Sequence, residues 1–83
     1  MSESEFIWKF LNREYHNEHP AIYLYVIGNV QSKQNAIDKI MRLVRSIFTP
    51  PYSEGFLLTI VKAFLESKRK QYIKGEIKVK ALY

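Results

Sequence analysis

Eighty-three residues with no cysteine and a net charge of +5 make one domain, spanning 1–83, with no room for a second core, and exclude disulfides and thiolate zinc sites. An apolar content of 47% excludes a composition of the disordered type, and no apolar run approaches the roughly 18–20 residues of a membrane span. The acidic start MSESEF lacks the basic and apolar pattern of a secretory leader, so the chain reads as soluble, intracellular and cytoplasmic, with no membrane partner.

The first predicted element is a helix. Ser2 or Ser4 caps it, and glutamates in its first turn suit the positive end of the dipole. Phe6, Ile7, Phe10 and Leu11 share one face at helical spacing, with Trp8 and Tyr15 beside it. Pro20 disfavours helix in the residue before it, so the helix ends around Asn17 to His19. AIYLYVIGN follows, rich in β-branched and aromatic residues and apolar on both faces. It reads as a covered strand over 21–28. A short buried helix starting at Pro20 is the alternative, because short apolar runs discriminate poorly. Gly28 and Asn29 mark a turn.

Ser32 or Asn35 opens the second predicted helix. Its apolar stripe runs from Ala36 to Phe48, and Asp38, Lys39, Arg42, Arg45 and Ser46 fill the opposite side. TPPYSEG breaks it, since two consecutive prolines cannot continue a helix. Ser53 caps the third predicted helix, and Gly75 terminates it or forms the turn beyond. In EIKVKALY, Ile77, Val79, Ala81 and Tyr83 alternate with Glu76, Lys78 and Lys80, the pattern of a strand with one wet face. The expectation is an α+β fold in the order α-β-α-α-β: three helices packed on a two-stranded antiparallel β-ribbon. Two strands alone make a poor sheet. Either the helices cover the ribbon, or a homodimer joins two ribbons edge to edge.

That order of elements resembles a winged helix-turn-helix domain. The resemblance covers most of the chain as a sequence of elements, without a shared motif. It implies DNA binding, with the third helix entering the major groove and a terminal hairpin touching the backbone. In this chain the start of the third helix is apolar, GFLLTIVKAFL, and the turn FTPPYSEGF is longer than the family's. The cations lie instead on the second helix and at the far end of the third, which directs the expectation towards backbone contacts and away from base readout.

Charge is distributed unevenly along the chain. Between Val61 and Tyr83 seven cations face two acids, whereas Met1 to Pro20 carries two cations and four acids. Lys39, Arg42 and Arg45 recur at three-residue intervals, a spacing able to follow a phosphate backbone. With Lys68, Arg69, Lys70, Lys78 and Lys80 they form the expected nucleic-acid-binding set, for DNA or RNA. Against this stands a solvated helix face, cations placed by the dipole at a helix end, and lysines protecting an edge strand. Tyr23, Tyr25, Tyr52, Tyr72 and Tyr83 are either stacking surfaces for bases or half-buried packing.

EYHNEH brings His16 and His19 to within one helical turn. It lacks the spacing of a zinc helix and a distant third ligand, so it reads as a polar helix terminus. No glycine-rich phosphate loop and no nucleophile–base constellation is legible. The expectation is therefore a small non-catalytic nucleic-acid-binding protein, with no metal and no cofactor. The alternative is a protein-interaction module, an accessory subunit or viral or plasmid-type adaptor docking on a larger complex through Trp8, Tyr52 and Tyr83.

Overall fold

The computed structural model describes residues 2–16, 19–27 and 30–77. They form four helices: α1 (Glu3–Glu14), α2 (Pro20–Ile27), α3 (Val30–Phe48) and α4 (Glu54–Ile73). Among the described residues there is no strand. The expected α+β architecture, with its two-stranded antiparallel ribbon, is thus replaced by an all-helical one, and the winged-helix resemblance falls with it. Of the run 21–28, expected as a strand, residues 21–27 belong to α2, and Gly28 lies outside the described residues. The expected strand 76–83 lies outside the described residues from Lys78 onwards.

The physical reason for α2 begins at its first turn. Pro20 occupies the first helical position, where its missing N–H costs nothing and its fixed φ suits the helix. His19 precedes it, and the Ala21 N–H donates to His19 Nδ1 at 3.0 Å. The His19 carbonyl accepts from Ile22 and Tyr23. Ala21, Ile22, Tyr25 and Val26 are buried, an i, i+1, i+4, i+5 pattern that only a helix produces. Strand propensity measures fit to a half-buried pleated surface. Here the surface on offer is a groove between α3 and α4, both of which α2 touches.

The other ends follow local chemistry. Ser2 Oγ accepts from the Glu5 N–H at 3.2 Å, and Ser53 Oγ accepts from the Phe56 N–H at 3.2 Å. Both serines therefore act as the N-caps expected of them. Helix α3 starts at Val30, earlier than the expected Ser32 or Asn35. Helix α4 ends in a Schellman motif. Gly75 has φ +78°, its N–H donates to the Tyr72 carbonyl at 3.0 Å, and the Glu76 N–H donates to the Gln71 carbonyl at 2.9 Å.

Helix α4 organises the core, because it packs against each of the other three. Its Leu57, Val61, Phe64 and Leu65 are fully buried. Helix α1 adds Ile7 and Leu11, and α3 adds Ile40, Met41 and Val44. Trp8 lies edge-on to Phe64, with ring centroids 5.5 Å apart. No polar or charged residue is buried among those described, so this core is held by apolar burial without a polar network to satisfy. No helix among the described residues is long and apolar enough to cross a membrane.

Candidate nucleic-acid interface

Helix α3 places the first three cations. Its inward side is apolar, so the charged residues between those positions face solvent. Lys39, Arg42 and Arg45 are all exposed, as is Asp38. Lys39 and Arg45 are six residues apart, a rise of about 9 Å along the axis. The row drifts around the helix, since each step of three residues falls about 60° short of a full turn.

Two carboxylates temper this edge. Asp38 accepts from Gln34 Nε2 at 2.9 Å. Arg45 Nη2 stands 2.6 Å from Glu54 Oε1. The Arg45 and Glu54 side chains are 50% and 61% exposed, and a pair that open to water contributes about 0–1 kcal/mol. Leu24 of α2, with Asn35, Asp38, Lys39 and Arg42, lines a groove of about 380 Å³ beside the row.

The cations of α4 diverge. Leu57, Val61, Phe64 and Lys68 fall on one stripe of the helix. Lys68 continues the core side, with Nζ 5.5 Å from the centre of the Phe64 ring, and burial lowers its pKa. Its ammonium thus sits over an aromatic face, the geometry of a cation–π contact. Arg69 lies on the flank towards α2, where its charge acts on Tyr25. Burial raises the Tyr25 pKa, Glu66 adds to the rise, and Arg69 opposes it. Lys70 lines an open groove on α4 with Ala63, Ser67 and Lys74. Three successive residues thus serve three directions. Lys78 and Lys80 lie outside the described residues. Of the eight cations expected, Lys39 and Arg42 share one groove, Arg45 lies about 120° round α3 from Lys39 and beside Glu54, and Lys68, Arg69 and Lys70 are spread.

The tyrosines divide likewise. Tyr25 is 7% exposed and offers no stacking face. Tyr52 is half-buried and stacks on Phe56, with centroids 5.5 Å apart. Tyr83 is outside the described residues.

The histidine pair has a structural task that its sequence spacing did not reveal. The rings of His16 and His19 are 6.2 Å apart. The His19 Nδ1 lone pair is engaged by Ala21, which makes the imidazole the N-cap of α2. The legible signal was its place directly before Pro20, a helix-start pattern. The His19 pKa is lowered, first by burial and then by the charges of His16 and Lys39. In the window just below the unfolded value of about 6.5, the unfolded chain binds more protons at this site than the folded one. Stability therefore rises with pH through that window and declines as pH falls through it. His19→Asn keeps a capping oxygen without a titrating group. Urea melts between pH 7.5 and 5, bounds set about the histidine range, are expected to show a shallower acid-side decline for this variant than for the wild type.

One feature escaped the sequence. Phe6 and Phe10 were grouped with Ile7 and Leu11 on one inward face. Instead Ile7 and Leu11 turn inward and Phe6 is 55% exposed. Phe6 and Phe10 both meet the Phe48 ring edge-on, at 6.0 and 5.1 Å, and Phe48 leads on to Tyr52. No protein-family model, curated protein or solved structure matches this chain.

Proposed function

We propose that this chain is a small non-catalytic nucleic-acid-binding protein that grips the phosphate backbone with the outer edge of α3. The observation that carries the reading is the exposure of Lys39, Arg42 and Arg45 along α3, the first two beside one groove. A net charge of +5 supplies a field that draws a polyanion towards it. Leu24 and Asn35 beside the row offer apolar and amide contacts to sugar and phosphate. Lys68 is not part of this grip, because its ammonium lies over Phe64. Arg69 and Lys70 add field without sharing the edge. The grip is electrostatic: cations neutralise phosphates and release counterions, with no sequence specificity assigned.

Three phosphate contacts imply a slope of log affinity against log salt of about −2.7 on duplex DNA, or about a 40-fold loss between 50 and 200 mM. Arg42→Gln combined with Arg45→Gln is expected to reduce the slope to about −0.9. Both residues are exposed, so circular dichroism is expected to stay unchanged. Fluorescence anisotropy with mixed-sequence duplex, single-stranded DNA and RNA distinguishes the polymers. Absence of binding at low salt, or an unchanged slope in the variant, overturns the reading in favour of the protein-docking alternative.

A further inference from the structure

Helix α1 carries an outer stripe that matches itself when reversed. Glu3, Phe6, Phe10 and Arg13 stand three, four and three residues apart. On a helix they fall within about 80° of one another. Ile7 and Leu11 flank the stripe on its inner side and are fully buried, so they anchor α1 to the core while Phe6 stays largely open to solvent. Glu3 and Arg13 are exposed, Phe10 is half-buried, and Phe6 is 55% exposed. Arg13 rests its guanidinium 5.5 Å from the centre of the Phe10 ring. Phe6, Lys9, Phe10 and Arg13 line a shallow groove of about 250 Å³. Beneath it the rings connect through buried Phe48 and half-buried Tyr52 to Phe56, which is 36% exposed. Single exposed apolar side chains are ordinary, whereas a connected set marks a contact surface.

We infer that this face receives a second copy of the same chain, α1 lying antiparallel on α1 about a two-fold axis. In a two-fold contact one patch meets itself. An axis level with Trp8 sets Glu3 of one copy against Arg13 of the other, and Phe6 against Phe10, and each pairing occurs twice. The order acid, ring, ring, base is what makes the stripe self-complementary; opposite charges meet at both ends and rings meet between them. An isolated chain of this size buries only a modest apolar core, so covering these rings adds burial that one copy lacks. The inference does not rest on nucleic-acid binding, since α1 is separate from the α3 edge.

Sedimentation equilibrium on the full chain tests it. The expected mass is twice 9.9 kDa. Phe6→Ser is expected to yield monomer with unchanged circular dichroism. Arg13→Glu opposes like charges at both ends of the contact and is expected to weaken dimerisation roughly tenfold. Adding Glu3→Arg to Arg13→Glu restores the pairing and is expected to recover the dimer. A role confined to α1 itself predicts the opposite order, because the double variant puts the wrong charge at both helix ends. The inference is overturned by a monomer at every concentration, by a dimer indifferent to Phe6→Ser, by a double variant weaker than Arg13→Glu, or by a monomer that instead takes an acidic peptide on this face.

Discussion

Phe64→Ala is expected to lower the stability of the fold by about 3–5 kcal/mol. Phe64 is fully buried at the centre of α4, the helix that touches all three others. Trp8 from α1 packs edge-on against its ring, and Lys68 lies over the ring one turn further along α4. Removing the ring therefore opens a void between α1 and α4 and takes away the aromatic face under the Lys68 ammonium. The loss includes the transfer free energy of the ring and the cavity left where neighbours cannot collapse. Small domains hold only about 5–15 kcal/mol in total, so the variant is expected to be partly unfolded at room temperature. Trp8 is the single tryptophan, and its emission during a urea melt reports directly on this contact. Phe64→Leu keeps most of the volume and is expected to cost clearly less. A loss below about 1.5 kcal/mol for the alanine variant, half the lower bound of such truncations, contradicts this placement of the core.

Ile22→Ala is expected to cost about 2–5 kcal/mol, and Leu24→Ala much less. The comparison tests the helical state of α2. In a strand, residues 22 and 24 point to the same face and respond alike. In the helix they lie about 160° apart. Ile22 is fully buried, whereas Leu24 is half-buried at the rim of the groove beside Lys39 and Arg42. Chemical denaturation of the two variants measures the difference. Equal losses restore the strand reading; a large inequality in the stated direction upholds the helix.

The same contrast shows where sequence reasoning reaches its limit. Helix α1 and helix α4 announce themselves through Ser2 and Ser53, whose hydroxyls engage backbone N–H groups three residues on, and through Gly75, whose left-handed φ closes α4. These are local interactions, and local interactions are written in local sequence. The amphipathic stripe of α3 was equally legible, and with it the exposure of Lys39, Arg42 and Arg45. For 21–28 the residues are apolar in either conformation, so no period distinguishes strand from helix. The C-terminal strand is read from its own alternation and lies outside the described residues from Lys78 onwards; with 21–27 helical, the expected ribbon loses the partner assigned to it.

Sites assembled from several elements were less visible. Arg45 meets Glu54 only because the α3–α4 turn folds back. Lys68 extends the inner stripe of α4, a register that its basic neighbours Arg69 and Lys70 concealed. The exposure of Phe6 depends on how α1 rolls against α4, and hydrophobic spacing leaves that angle undecided within about one residue.

Residue order alone thus established the absence of cysteine, the amphipathic α1, α3 and α4, the serine caps of α1 and α4, and a surplus of positive charge. The state of α2, the dispersal of the α4 cations, the capping role of His19 and the connected rings on α1 and the α3–α4 turn emerged only on packing. The reason is physical. Caps and periodicities are set by residues within one or two turns of each other, whereas burial and charge environment depend on groups far away in the chain, whose positions no local pattern records.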